Sequence, residues 1–303
     1  MFFEDCFDKF TGVHDIININ TYVMNSFING LSIVATPIGN LDDITYRAVN
    51  ILKDCDVVIC ENPKHSLKLL NKLGIKKKLF ALHDYNEQKV INRIKNLLKS
   101  KSCVLISDAG SPLISDPGYN LVKYCIENNI KVTTVPGPSS IISSLQLSGL
   151  PISEFTFFGF IPKSKKKLED AIRDISQEKR VSVFFVSSHK LTIFLETLES
   201  IVPDRQISIC KELTKLNEFV FRGNASKIKN ILLEKKESLK GEFVAIIDRE
   251  DSKKQDFEEI DLYRKELKKM ATKFSLTDIV EIVHKFTKIN KNKIYKWMLK
   301  SKK

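Results

Sequence analysis

The sequence lacks most of the marks by which an enzyme class is read. It has no G-x-G-x-x-G, so the usual fingerprint that brings a glycine-rich backbone up to a pyrophosphate is absent. The six cysteines form no C-x-x-C pair, the five histidines stand far apart, and there is no H-E-x-x-H, so no metal site is expected. Cys60, Cys103 and Cys125 lie in or beside apolar runs, where cysteine acts as a small buried hydrophobe. Free thiols in a cytoplasmic setting are the simplest reading. No apolar run approaches the roughly 18 residues a membrane span needs, and no membrane partner is expected. The opening residues carry Asp5, Asp8 and Asp15 without a strongly basic start, unlike a signal peptide. The strand pattern begins at Leu31, shortly after Met24. Residues 1–30 are therefore expected to be a poorly ordered extension, with Met24 as the natural start.

What is present is a basic, packed protein. Hydrophobic residues make up 43% of the chain, enough for globular cores. The formal charge of +12 suits a polyanion such as RNA or a membrane surface, although a Lys-rich genome would leave the same excess in any enzyme. Leu31–Ala35, Asp56–Cys60, a short segment in the 80s, Cys103–Ser107 and Lys131–Val135 read as strands. Helical stretches lie between them, which predicts an α/β domain with a mainly parallel sheet over residues 31–150. The pattern restarts near Gly149-Leu150-Pro151. Phe155–Ile161, Val181–Val186, Gln206–Lys211 and Phe243–Ile247, alternating with helices, give a second α/β domain over 151–250.

After Gly241 neither glycine nor proline occurs, so 251–303 is expected to be helical. Ser275-Leu276-Thr277-Asp278 reads as an N-terminal cap. Leu276, Ile279, Val280 and Val283 form one apolar stripe, and Ile294, Trp297 and Met298 a second. His284 to Lys303 holds eight lysines and no acid. A small basic helix-turn-helix-like unit and a tail helix packed on the core are both open readings.

In a parallel sheet, ligands bind beyond the carboxyl ends of the strands. Four such ends carry unusual residues: Pro37-Ile38-Gly39, Glu61-Asn62-Pro63, Asp108-Ala109-Gly110-Ser111-Pro112 and Pro136-Gly137-Pro138. Glycine permits close backbone approach and proline fixes the turn, so two neighbouring turns of this kind favour a ligand site over simple connections.

The stretches Ile33–Leu41 (IVATPIGNL), Ser107–Tyr119 (SDAGSPLISDPGY) and Val135–Pro138 (VPGP) resemble the tetrapyrrole methylase superfamily. Within it, Ala81–Glu87 (ALHDYNE), Glu212–Lys215 (ELTK) and Lys240-Gly241-Glu242 resemble the branch that methylates ribosomal RNA. The resemblance spans about residues 31–303. It implies two α/β domains with S-adenosylmethionine in a cleft between them, a small helical C-terminal unit, and usually a homodimer. The implied reaction is methylation of a cytidine ribose 2′-hydroxyl in small-subunit ribosomal RNA.

The family's cofactor contacts map onto Pro37, Asp108, Gly110, Ser111, Pro112, Pro136 and Gly137, with Phe158, Leu213 and Gly241 from the second domain. A base for the hydroxyl proton is sought among His83, Asp84, Glu87, Glu61, His65 and Asp108. His83 and Glu87 rank first as a pair, because one short loop directs both; the alternative for each is a loop-ordering hydrogen bond. For RNA, Lys64, Lys163, Lys165, Lys166, Lys167, Lys293 and Lys296 are the phosphate candidates, along with the run Lys72 to Lys78. Tyr85, Phe158 or Phe160 are candidates for stacking.

Two segments depart from the family pattern. Glu61-Asn62-Pro63-Lys64-His65 stands where Glu-Asp-Thr-Arg-His is usual, and Phe185–Lys190 (FVSSHK) replaces a Tyr-Glu-Ser-Thr-His-Arg-like segment. Two other readings stay open: a small-molecule methylase acting on a tetrapyrrole, and a non-catalytic RNA-binding assembly factor built on a degenerate methylase core.

Overall fold

A computed structural model describes residues 29–234, 239–250, 263–287 and 289–300. The expectations for Met24 and for the extension up to residue 28 lie outside the described residues, as does the start of the tail, 251–262. The chain divides into two compact units, the first ending at Ser140 and the second beginning at Ile141.

The first unit is built on five strands: β1 (Gly30–Val34), β2 (Val57–Cys60), β3 (Lys78–Ala81), β4 (Ser102–Ile106) and β5 (Val132–Val135). They lie in the order β3-β2-β4-β1-β5, parallel at every pairing. The apolar runs are continuous because both faces are covered. Val58, Cys60, Val104 and Ile106 face Ala48 and Leu52 of α1 (Tyr46–Asp54) and Leu70 of α2 (Pro63–Lys72). Ile59, Cys103 and Leu105 face Ile91 and Ile94 of α3 (Glu87–Ser100) and Leu121 of α4 (Tyr119–Glu127). Burial of each such side chain stabilises the fold by about 1.5–3 kcal/mol. Short caps start the helices: the Thr45 hydroxyl accepts from Ala48 N, and the Asn62 side chain accepts from Lys64 N with Pro63 at the first helical position.

The connection leaving β1 runs over one face towards β2, and the one leaving β4 runs over the other towards β5. The turns after β1 and β4 therefore leave towards opposite faces, and the crevice beside such a point is where open parallel sheets take ligands.

The second unit starts ten residues ahead of the expected boundary near 150, because α5 (Ser140–Ser148) belongs to it. Ser144 and Leu147–Ser148 of this helix meet β-strands of the second sheet: the Cys210 thiol approaches Ser144 O at 3.8 Å, and Arg222 Nε donates to Ser148 O at 3.3 Å. The strands are β6 (Phe155–Phe160), β7 (Val181–Ser187), β8 (Ile207–Lys211), β9 (Phe219–Gly223) and β10 (Glu242–Ile247), ordered β6-β7-β10-β8-β9. Only β6 and β7 are parallel; the other pairs run antiparallel. Strand β9 is not among the strands expected from the sequence; it is a five-residue edge strand fixed by pairing with β8. Helices α6 (Lys165–Ser176), α7 (Leu191–Ile201) and α8 (Ala225–Glu234) cover one face through Leu168, Ile172, Phe194, Leu198 and Ile228.

The tail forms α9 (Arg264–Met270), α10 (Leu276–Thr287) and α11 (Lys291–Lys300). Both expected stripes are buried against each other, with Leu267, Ile279, Val283, Ile294, Trp297 and Met298 in one small core. The Ser275 hydroxyl accepts from Asp278 N, and Asp278 accepts back from Ser275 N and Oγ, a reciprocal cap. No helix among the described residues is long and apolar enough to cross a membrane.

Candidate active site

The turns after β1, β2, β4 and β5 meet at one edge of the first sheet. Thr36 and Gly110 exchange both backbone hydrogen bonds, at 2.8 and 3.0 Å, tying the Pro37 turn to the Asp108–Pro112 turn across the crevice. Thr36 Oγ1 also donates to Ser107 O at 3.3 Å. Ser111 Oγ donates to Pro138 O at 3.4 Å, joining the turn after β5. Asn62 N donates to Asp108 Oδ1 at 3.2 Å, joining the turn after β2. Pro37, Gly110 and Pro112 are buried while Pro136 and Gly137 are exposed, so the cluster has a packed floor and an open backbone lip. A Cβ on Gly137 would stand 3.1 Å from the Ala35 Cβ. A side chain there would push Ala35 back by a few tenths of an ångström.

Four carboxylates share this edge. Burial raises the pKa of Glu61, and the charges of Asp116, Asp108 and Asp84 raise it further. Burial, with a smaller push from Asp108, lifts Asp116 to about 6 against a hydrogen bond from Ser107 that opposes the shift. Asp116 is held there by Pro117 and Gly118. Gly118 has φ +129°, and a Cβ on it would come within 2.9 Å of Leu105 Cδ2. Leu113 and Ser115 also adopt positive φ, so the segment between β4 and α4 is a sequence of tight reversals. Sequence reasoning quoted Asp116 within its motif but passed over it as a site residue. A carboxylate directly ahead of Pro-Gly was the available signal. Its environment, which sets its protonation, was not legible.

The structure gives His83 and Glu87 different neighbours. Glu87 is the first residue of α3 rather than part of the loop, and it is buried. Its carboxylate accepts from Asn120 Nδ2 at 2.6 Å and from Leu121 N at 3.4 Å, so it links α3 to the start of α4. The loop-ordering role belongs to Asn86, whose side chain accepts from His83 N and donates to Ala81 O. His83 and Tyr85 remain exposed, with ring centroids 6.3 Å apart. Asp84 is exposed on the same loop, and His65 is exposed on α2.

In the second unit Phe158 is 42% exposed and stacks on Phe184 at 4.9 Å. Leu213 is buried between Glu212 and Thr214, both at positive φ. At Gly241, with φ +123°, a Cβ would lie 2.9 Å from Glu212 Cγ and would force that side chain to shift. The Glu212 carboxylate accepts from Glu242 N and from Lys215 Nζ, so the Glu212–Lys215 loop and Gly241 form one structure, beside a hollow of about 500 Å³ lined in part by Lys211, Glu218 and Lys240.

Residues 30–229 match the family described as tetrapyrrole (corrin/porphyrin) methylases. The chain belongs to the tetrapyrrole methylase family. It is 37% identical over 279 residues to ribosomal RNA small subunit methyltransferase I of Pasteurella multocida, covering 91% of this chain and 99% of the relative. The like-named protein of Thermotoga maritima is 44% identical over 198 residues, covering 65% of this chain and 89% of the relative. Among solved structures, a uroporphyrin-III-C-methyltransferase of Thermus thermophilus superposes with a TM-score of 0.52 at 16% identity, covering 73% of this chain and 94% of that one. A diphthine synthase gives 0.53 at 17%, covering 72% of this chain and 89% of that one. At these identities the likeness speaks to the fold alone.

As a tetrapyrrole methylase the protein is an S-adenosylmethionine-dependent methyltransferase. The residues present fit that donor: the exposed backbone at Pro136 and Gly137 lies at the same end of the sheet as a set of carboxylates whose field favours a sulfonium cation. Among the described residues no group of three or more His, Cys, Asp and Glu side chains is placed to hold a metal.

The two departures from the family pattern are locally sound. Asn62 caps α2 as an aspartate would, and Val186 is buried in the core of the second unit. Lys64, Lys163, Lys165, Lys166, Lys167 and Lys296 are exposed; the Lys293 side chain lies outside the described residues. Lys165, Lys166 and Lys167 occupy the first turn of α6, capped by Ser164, where cations oppose the helix dipole. Phe160, the other stacking candidate, is 62% exposed.

Proposed function

We propose that the protein transfers a methyl group from S-adenosylmethionine to the 2′-hydroxyl of cytidine 1402 in 16S ribosomal RNA, acting on the small ribosomal subunit in the cytoplasm as a homodimer. The observation that carries this reading is end-to-end similarity to small-subunit ribosomal RNA methyltransferases, which extends through the basic helical tail. The tetrapyrrole alternative rests on the family description and on fold likeness at 16–17% identity, against 37% identity to a ribosomal RNA methyltransferase. The assembly-factor alternative loses its motive, because the altered 61–65 segment keeps its helix cap.

When bound, S-adenosylmethionine supplies a methyl group already activated by the sulfonium charge. The chain's part is placement and proton handling. Pro37, Gly110, Ser111, Pro112, Pro136 and Gly137 would hold the donor chiefly through their backbone, with Asp108 fixed beside them by Asn62 N. Alignment of the ribose hydroxyl supplies much of the acceleration. We assign proton acceptance to the carboxylate of Asp116, which burial lifts to about 6, with Asp108 as the charge beside it. Lys64, Lys163, Lys165, Lys166, Lys167, Lys293 and Lys296 hold RNA phosphates. Like cations at the start of α6 have no folding rationale, and an incoming phosphate supplies one.

The test is transfer of labelled methyl to purified small subunits, followed by mapping of the modified nucleotide. Label on one cytidine ribose is expected. Label on a free macrocycle and none on RNA would overturn the reading.

A further inference from the structure

Strand β3 is an edge strand of the first sheet, and beside it runs a groove of about 430 Å³. Lys78, Phe80, His83, Asn86, Lys89 and Arg93 line it, and no carboxylate does. Lys78 Nζ lies 5.2 Å and Arg93 Cζ 5.6 Å from the centroid of the Phe80 ring, so two cations are held over one buried aromatic. Among the described residues neither Lys78, Lys89 nor Arg93 belongs to an ion pair, whereas Lys101, Lys123, Lys215, Lys229 and Lys291 each have a carboxylate partner.

Lys89 and Arg93 are like charges at i, i+4 on α3, a spacing that weakens a helix. His83 joins them from the loop at the carboxyl end of β3, the same end of the sheet at which Glu61, Asp108 and Gly110 gather. The groove thus adjoins the candidate active site without using its carboxylates. Its chemistry is that of an anion seat: one guanidinium fork, two ammonium groups and an imidazole around a concave floor.

We propose that this groove seats a phosphodiester of the substrate RNA and so sets the position of the strand before methyl transfer. This rests on the ribosomal RNA reading above. The contact is with the backbone and chooses no base.

The experiment compares two double variants of α3 with equal charge change. Lys89→Gln/Arg93→Gln alters the groove. Lys95→Gln/Lys99→Gln alters two exposed positions of the same helix that do not line it. KM for small subunits is measured over a range of salt concentrations, alongside kcat, S-adenosylmethionine affinity and Tm. The groove variant is expected to raise KM about tenfold and to flatten the log–log salt dependence by roughly one. Its kcat, donor affinity and Tm should match those of the unaltered protein, and the control variant should change KM less than about twofold. Equal KM in both variants, with the unaltered protein active, overturns the groove and leaves the ribosomal RNA reading standing. If the unaltered protein methylates no subunit, that reading falls. The groove is then judged by binding of polyuridylate to the same two variants, and equal affinities overturn it.

Discussion

The two sheets of this protein use the same kind of residue to different ends. In the first unit every strand runs the same way, so all the turns that follow strands lie along one edge, and Pro37, Glu61, Asp108 and Gly137 come together there from distant stretches of chain. In the second unit most neighbours are antiparallel and strand ends fall on both edges. Its one comparable device joins the end of β8 to the start of β10, where Lys211 pairs with Phe243 and the Glu212 loop closes on Gly241. A parallel sheet gathers chemistry. A mixed sheet supplies isolated, self-bonded corners.

The sharpest way to break this contrast is Asp116→Asn. If the first unit carries the proton acceptor, turnover falls roughly 10²–10⁴-fold while donor affinity, measured by calorimetry, holds. Because burial lifts Asp116 to about 6, turnover of the unaltered protein should rise with pH up to about 6 and then level, and the variant should lose that limb. The sign for stability is opposite. A folded pKa above the ordinary value of 3.8 means that the folded state binds the proton more tightly, so this contribution is full below 3.8 and lost as pH rises through about 6. Asp116→Asn should therefore melt higher at neutral pH, by about 1 kcal/mol once its partial exposure is discounted. An unchanged rate would return the search to Glu61 and His83.

Gly118→Ala against Gly241→Ala compares the two corners directly. Both positions have positive φ, but a methyl on Gly118 meets the packed Leu105 and Leu113, whereas one on Gly241 meets the end of a movable glutamate. Expected losses by denaturant unfolding are about 3 and about 2 kcal/mol. Equal losses would show that backbone strain alone decides. Glu87→Ala should destabilise by about 1–3 kcal/mol by leaving Asn120 and the α4 terminus unpaired, and folded protein should keep its kcat; loss of kcat with intact stability would restore Glu87 to the site. Ser275→Ala is the smallest effect, about 1 kcal/mol confined to the tail and visible as faster amide exchange in α10. Global destabilisation would instead make the tail part of the main core.

Much of this was legible in advance. The strands of the first sheet were visible because both faces are buried, which makes their apolar runs unbroken. The tail helices were visible because their stripes and the Ser275 cap follow helical spacing. Strand β9 was not visible, since its place depends on pairing with β8, nor was the allegiance of α5, which Cys210 and Arg222 settle. The motif turns marked out Pro37, Asp108, Gly110 and Gly137, but the division of labour in 83–87 was hidden. Adjacency in sequence suggests that His83 and Glu87 work together, but His83 stays on the loop while Glu87 opens α3 and bonds to Asn120.

The sequence by itself determined the family, the chemistry and the parallel design of the first sheet, because these are written in local pattern and in turns that only glycine and proline permit. Only the tertiary structure decided which carboxylate is tuned, which one ties helices together and where unpaired cations line a groove. Protonation and charge depend on burial and on neighbours many residues away, and no local pattern records them.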